Sequence, residues 1–212
     1  VSQTARVRKI DLGKVGDDLF VLRASLGLET LVVTNTPRNL KNELGQLAYP
    51  LTALGSALLH RAFHEYHPLW LMGHQLHHSP QRLDIPGSVF FHPVDIALQT
   101  APATIVSVFL LGLDPVAAGM VGFVAAFYGM FQHWNVRTPR WIGYIIQRPE
   151  SHGLHHELGV HGRNYSDFPL WDMLMGTFVN PDTFDGDVGF AGNGSSRIGA
   201  MLLFQDVNAP QA

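Results

Sequence analysis

The stretch from His60 to His78 reads H-R-A-F-H-E-Y-H-P-L-W-L-M-G-H-Q-L-H-H and is the densest run of histidines in the chain. It contains one pair at i, i+4 (His60 and His64), followed by a triplet at i, i+3, i+4 that begins at His74. On a helix, these spacings place imidazole rings on one face, one turn apart. The triplet pattern recurs downstream in S-H-G-L-H-H, residues 151–156. The stretch therefore predicts helices that present histidines to a common site.

Metal binding is the chemistry that these clusters indicate. Neutral imidazole suits iron, zinc, copper and nickel, and a tetrahedral zinc ion would use only about four ligands. The three clusters are too large for one ion, so we expect two ions close together. The predicted ligands are His60, His64, His74, His77, His78, His152, His155 and His156.

For the four remaining histidines, the sequence gives different predictions about metal binding. His133 precedes the third cluster and is expected to be an additional ligand, whereas His92, in F-F-H-P, fits either a ligand or a residue that supports one. His67 is followed by proline and His161 lies in a glycine-flanked loop, so neither is expected to bind metal. A metal-bound histidine needs an acceptor for its other ring N–H. Carboxylates close in sequence to the clusters are Asp84, Asp95, Glu150, Asp167 and Asp172.

The composition narrows the class of protein. Charged residues make up 15% of the 212 residues and apolar ones 46%, a balance that favours a membrane protein with polar ends. The net charge of −3 argues against a nucleic-acid partner. The absence of cysteine excludes thiolate ligands and iron–sulfur clusters.

The strongest membrane signal lies between residues 96 and 134. Two uncharged arms, Ile96–Leu113 and Val116–Trp134, flank the turn signal Asp114-Pro115, which predicts a helical hairpin of membrane-spanning length. A buried hairpin in a soluble protein is the alternative. Such a hairpin returns both of its ends to one side, where Arg137, Arg140 and Arg148 favour a cytosolic location.

These signals together predict the fold and its domains. The expected fold is all-α: an integral-membrane helical bundle with a cytosolic, histidine-rich helical cap. Residues 1–43 are predicted to form a separate segment, interfacial rather than spanning, and 44–208 the catalytic domain, with the membrane hairpin at about 96–134. Residues 209–212 form a tail.

The motifs also resemble a known family. H-R-A-F-H, H-Q-L-H-H-S-P, F-H-P-V-D, Q-H-W-N-V and R-P-E-S-H-G-L-H-H are similar to the motifs of the fatty acid hydroxylase / sterol desaturase superfamily, as is the segment from Asn164-Tyr165 to Phe178. The resemblance extends from about His60 to Asn208. It implies an integral-membrane enzyme with two iron ions that uses O2 and two electrons to hydroxylate or desaturate a lipid, such as a fatty acyl chain, sphingolipid or sterol. It carries over the eight clustered histidines, and His133, as metal ligands.

The implied partners and the alternatives follow from this resemblance. No electron-transfer segment is visible in the sequence, so electrons would come from a separate cytochrome b5-like or ferredoxin/reductase partner. Membrane lipids are expected to surround the enzyme. The alternative function is a non-redox, zinc-binding membrane protein, either a metallohydrolase or a structural protein. The residues do not decide between hydroxylation and desaturation.

Overall fold

A computed structural model of the chain describes residues 13–15, 18–20, 38–110, 112 and 114–208. The described chain is helical, with one short antiparallel strand pair. In this pair β1 (Gly13–Val15) lies beside β2 (Asp18–Phe20), and Gly13 is opposite Phe20. The predicted N-terminal segment 1–43 lies largely outside the described residues, and the tail 209–212 lies entirely outside them.

Eight α-helices, several of them one or two turns long, carry the described part of the chain. They are α1 (Arg38–Glu65), α2 (His67–Leu69), α3 (Gln75–His77), α4 (Pro93–Thr104), α5 (Pro115–Gln132), α6 (Pro149–His155), α7 (Pro169–Met175) and α8 (Ile198–Leu202). Two π-helical turns, Trp70–His74 and Ile105–Leu110, precede α3 and follow α4. Short 3-10 turns occur at Gly87–Val89, Arg140–Tyr144 and Gly194–Ser196.

The interior of the described chain is mostly polar. A small apolar cluster of Trp70, Leu76, Phe190, Met201 and Val207 lies beside the π-helical turn Trp70–His74. The other buried side chains are mainly polar or charged, and histidines are the largest group among them. Buried polar groups are costly unless they have partners. The protein interior is therefore organised around a polar site rather than around a large apolar core.

The predicted integral-membrane bundle is wrong for the part of the chain that the structure describes. No helix in these residues is both long and apolar enough to cross a bilayer. The first predicted arm is not one continuous helix, because α4 ends at Thr104 and gives way to a π-helical turn. Pro102 lies at this change, and proline removes an i→i−4 hydrogen bond from a helix.

The other two long helices do not meet the requirements of a membrane span, each for a different reason. The 18 residues of α5 extend only ~27 Å, against a hydrocarbon thickness of ~30 Å. The 28-residue α1 is long enough, but charged residues occupy both of its ends. The predicted turn at Asp114-Pro115 lies at the start of α5. The Asp114 carboxylate accepts the Val116 N–H at 2.8 Å, and α5 begins at Pro115.

Close packing at Gly73 brings the π-helical turn Trp70–His74 against α4. A Cβ atom at Gly73 would lie 2.8 Å from the Cβ of His92 and 2.9 Å from the Cβ of Asp95. Both distances are below any normal carbon–carbon contact. Glycine at this position therefore allows Asp95 to approach the ring of His74, the next residue along the chain.

We expect Gly73→Ala to destabilise the protein by about 1–3 kcal/mol, the typical cost of overpacking an interior. Thermal unfolding followed by circular dichroism measures the change. Gly55→Ala is the matched control, because no atom lies within 4 Å of the Cβ position at this helical site. Equal melting temperatures for Gly73→Ala and wild type would contradict the close packing.

Candidate metal centre

Nine histidines converge in the interior and form two groups. The five-histidine set contains His60, His64, His74, His78 and His155, and the four-histidine set contains His77, His133, His152 and His156. Within each set, one nitrogen from every ring lies within 4.8 Å of the others. These nine residues are the eight clustered histidines and His133 that the sequence nominated.

The two histidine triplets are each divided between the sets. His74 and His78, at i, i+4, belong to the five-histidine set, while His77 between them belongs to the four-histidine set. The second triplet does the opposite: His155 joins the five-histidine set, while His152 and His156 join the four-histidine set. Side chains four residues apart share a helix face more closely than those three apart. The rings of His78 and His156 stack at 4.0 Å and connect the two sets.

The hydrogen bonds in the five-histidine set determine which ring nitrogens carry protons. His60 Nδ1 lies 2.7 Å from the Tyr165 carbonyl oxygen, and His74 Nδ1 lies 3.0 Å from the Asp95 carboxylate. Both partners only accept, so both Nδ1 atoms carry the proton and both Nε2 atoms are bare in the neutral rings. These two Nε2 atoms are 3.0 Å apart, so a proton or a metal ion has to lie between them.

A metal ion bound to both nitrogens fits this contact. Two nitrogens bound at ~2.1 Å to one ion, about 90° apart, are separated by ~3.0 Å. The four-histidine set has similar spacings: His152 Nε2 lies 3.2 Å from His133 Nε2 and 3.1 Å from His156 Nε2. Six ring nitrogens of His64, His77, His78 and His155 are buried without a hydrogen-bond partner among the described residues. The donor type, spacing and unsatisfied nitrogens all fit metal ions.

Burial lowers the pKa of eight of these rings and so favours the neutral form that metal ligands need. It lowers the pKa of His60 to about 3 and the pKa of His133 to about 4, even though each ring also donates to a backbone carbonyl. Burial, followed by repulsion from neighbouring rings, holds the pKa of His77 and His152 well below the ordinary value. Protons therefore do not compete for these nitrogens near neutral pH.

Backbone carbonyls and one carboxylate orient the rings. Carbonyl oxygens of Arg163 and Gly129 accept from His155 and His133, at 2.7 Å and 2.8 Å. Asp95 supports His74 and also accepts from Gln99. Burial is the largest single effect and raises the pKa of Asp95. The hydrogen bond and charge of His74, together with the hydrogen bond from Gln99, lower it further than burial raises it, so the pKa of Asp95 lies below the usual value.

The loop at 163–165 supplies two of these acceptors and is fixed on both sides. Asn164 has a φ of 53°, a left-handed conformation that asparagine adopts more readily than most residues. Its side chain donates to the carbonyls of Ser151 and Val179 and accepts the Val179 N–H. Asp172 accepts the backbone N–H of Tyr165 at 2.8 Å. The carbonyls of Arg163 and Tyr165 thereby point at rings of the five-histidine set.

The remaining candidates lie outside both sets. His92 lies just before α4, where its Nδ1 accepts the Val94 N–H at 3.1 Å. It belongs to neither histidine set. His67 is 3.6 Å from Asp206 on an exposed surface. His161 stacks on His64 with ring centroids 5.9 Å apart but belongs to neither set.

The other nominated carboxylates have structural partners. Asp84 accepts from Arg82 and the Gly87 N–H, and Glu150 accepts from Thr138. Asp167 accepts from Gln132. Asp172 acts on the site only through the backbone of Tyr165. The sequence analysis missed the carbonyl acceptors because every residue has a backbone oxygen and none is marked by its residue type. The asparagine at position 164, a residue type that tolerates left-handed backbone, was the one local sign of an unusual loop.

Two adjoining sets of buried histidines on a helical scaffold define a class of protein, that of helical proteins whose histidine clusters could hold metal ions. The comparisons with known proteins identify the family. The chain belongs to the fatty acid hydroxylase family, whose model matches residues 48–177, and the predicted membership of the fatty acid hydroxylase / sterol desaturase superfamily is confirmed.

One relative in particular shows how far the similarity extends. The chain is 34% identical to the ornithine lipid hydroxylase OlsE of Rhizobium tropici over 162 residues, which cover 74% of this chain and 48% of that protein. The chain therefore spans about half the length of this curated relative. No solved structure matches the chain.

The low pKa values predict acid sensitivity of the metal-free protein. Above the unfolded-state pKa of about 6.5, the rings are neutral in both states and the folded protein keeps its full stability. Below it, the unfolded chain binds protons that the folded one does not, until the pH reaches the folded values of about 3 for His60 and about 4 for His133. Each such ring removes about 1.4 kcal/mol of unfolding free energy per pH unit.

Urea unfolding of the chelator-treated protein between about pH 7 and about pH 5 measures this slope. With several rings contributing together, we expect the unfolding free energy to fall by several times the value for one ring. An unfolding free energy that stays constant over this range would contradict the neutral, desolvated state of the histidines.

Proposed function

We propose that this chain is the catalytic part of an O2-dependent lipid hydroxylase with two iron ions. The observation that carries the proposal is the pair of adjoining histidine sets, whose Nε2 atoms approach to 3.0–3.2 Å. The family and the lipid hydroxylase relative supply the reaction class. The overall reaction is R–H + O2 + 2 e⁻ + 2 H⁺ → R–OH + H2O. Iron held by these rings would supply the redox chemistry that oxidises an unreactive C–H bond.

The residues of the chain contribute position and environment. The nine rings would hold the two ions, and their buried surroundings exclude bulk water. Carbonyls of Tyr165, Arg163 and Gly129 keep protons on Nδ1, so that Nε2 stays free as a donor to metal. Asp95 adds the negative charge of a carboxylate behind His74.

The substrate is proposed to be a lipid, and ornithine lipid is the first to test because the relative's name refers to it. Hydroxylation is preferred to desaturation on the strength of the family and of this relative. The electrons are proposed to come from a separate cytochrome b5-like or ferredoxin/reductase partner.

Contact with a lipid surface is proposed to occur through exposed apolar side chains of α5, among them Met120, Phe123 and Phe127. The sequence analysis placed the histidine clusters on the cytosolic side because of three arginines, and the structure leaves this prediction with less support. Arg148 is fully buried and donates to the carbonyls of Thr138 and Pro181, so it is not a surface charge. The cytosolic orientation therefore relies on Arg137 and Arg140 alone.

The alternative zinc metallohydrolase has less support from the site. Hydrolysis requires a general base that can reach an attacking water. Among the described residues, Asp95 is the carboxylate hydrogen-bonded to a ring of either set, and it is already engaged by His74 and Gln99. An oxygenase assigns its chemistry to the metal ions and needs no such base.

The test combines metal analysis with lipid product analysis. Protein expressed in iron-supplemented medium should contain about two irons per chain. Supplied with an electron donor, ornithine lipid and isotopically labelled dioxygen, it should incorporate one labelled oxygen atom into the lipid. His74→Ala and His152→Ala, one change in each set, should each abolish this product.

His67→Ala is the matched control, because this exposed histidine belongs to neither set and its removal should leave the product yield unchanged. Lipid hydrolysis that proceeds without dioxygen or reductant, in zinc-loaded protein, would replace this proposal with the hydrolase. Iron-loaded protein that forms no hydroxylated lipid from several lipid classes would overturn it.

A further inference from the structure

The two histidine sets differ in the number of donors that they offer. The five-histidine set would give an ion five ring nitrogens and the four-histidine set four. An octahedral ion held by five rings keeps about one further position, whereas one held by four keeps about two. The five-histidine set therefore offers the more complete coordination.

The sets also differ in how firmly their rings are oriented. Three rings of the five-histidine set have an acceptor on Nδ1: His60, His74 and His155 bond to the Tyr165 carbonyl, the Asp95 carboxylate and the Arg163 carbonyl. In the four-histidine set, His133 bonds to the Gly129 carbonyl. His152 Nδ1 instead accepts from the Gln147 side-chain amide at 3.3 Å, a longer contact from a group that also donates to the Asn164 carbonyl at 2.9 Å.

The negative charge of Asp95 lies beside the five-histidine set and not beside the four-histidine set. Its carboxylate is 1% exposed and touches His74, a member of the five-histidine set. An acceptor of this kind makes the imidazole a better donor, and loss of such a partner typically costs 10–100-fold in metal affinity. The first cation is therefore expected to bind in the five-histidine set, beside Asp95. A second cation must then enter against the charge of the first.

We propose that the two sets are unequal: the five-histidine set binds its metal ion first and more tightly, and the four-histidine set binds second, exchangeably, with the more open coordination. This inference rests on the dinuclear centre of the proposed function. It assigns different roles to the sets, since the ion with more open positions is the one that a small external ligand reaches.

The test is a titration of metal-free, full-length protein with cobalt(II) chloride, followed by visible absorption spectroscopy and by competition with a chelator. We expect two binding steps that differ by at least about tenfold in affinity. Azide added after the second step should change the spectrum of the ion bound second. These readouts are independent of enzymatic activity.

Asp95→Asn should weaken the first step about 10–100-fold while changing the second much less. Asp182→Asn is the matched control: it removes the same charge from a carboxylate that is 76% exposed and paired with Arg140, and it should leave both steps unchanged. Circular dichroism of each variant verifies that it is folded.

Two ligand variants test the assignment without relying on Asp95. His152→Ala should retain the tight step and lose the weak one, whereas His155→Ala should lose the tight step. Two equal affinities, or a tight step that survives in His155→Ala but not in His152→Ala, would overturn the inference. If the protein with two equal sites still hydroxylates lipid, the proposed function stands and the inequality alone fails. Wild-type protein that binds a single ion would overturn both.

Discussion

The structure depends on one electrostatic constraint: imidazole Nε2 atoms face each other in a desolvated interior and need a cation between them. His60 and His74 both donate through Nδ1 to groups that can only accept, which leaves their Nε2 atoms facing each other at 3.0 Å. Such a contact is repulsive in the absence of a cation. With a metal ion between the rings, the same geometry becomes a pair of adjacent coordination bonds.

The surrounding chain maintains the constraint through groups that lie far apart in the sequence. The loop at Arg163–Tyr165 orients His155 and His60, and is itself fixed by the side chains of Asn164 and Asp172. Gly73 allows α4 to approach closely enough for Asp95 to reach His74. Removing one of these supports would not remove a ligand, but it would change the direction or the protonation of one. The orientation of the rings is therefore a property of the whole helical assembly.

The sequence predicted the membership of the site better than its internal arrangement. Histidine spacing identified eight of the nine residues that converge, because i, i+3 and i+4 positions are close on any helix. His133 was nominated from its place before the third cluster. Spacing did not predict that the middle histidine of each triplet, His77 or His155, would belong to a different set from its two neighbours. His92 was left open between two roles and lies instead at the start of α4, with its Nδ1 occupied by the Val94 N–H. The backbone acceptors depend on tertiary structure and have no residue type to reveal them.

Hydrophobic content was the least reliable guide. The uncharged stretch from Ile96 to Leu113 predicted one membrane-crossing helix, but the helix changes to π geometry after Thr104 and, among the described residues, no helix qualifies to span a bilayer. Arg148 reads in the sequence as a surface charge and is instead fully buried, bonded to backbone carbonyls. Charge counts do not distinguish a solvated arginine from a structural one.

The most direct test of the account is X-ray absorption spectroscopy on the iron-loaded protein, together with iron quantification. Nine ring donors shared between two ions predict a first shell of about four to five nitrogens per iron at about 2.1 Å, with the outer-shell scattering typical of imidazole, and about two irons per chain. A shell made mainly of oxygen ligands, or a single iron per chain in fully loaded protein, would contradict the dinuclear histidine centre.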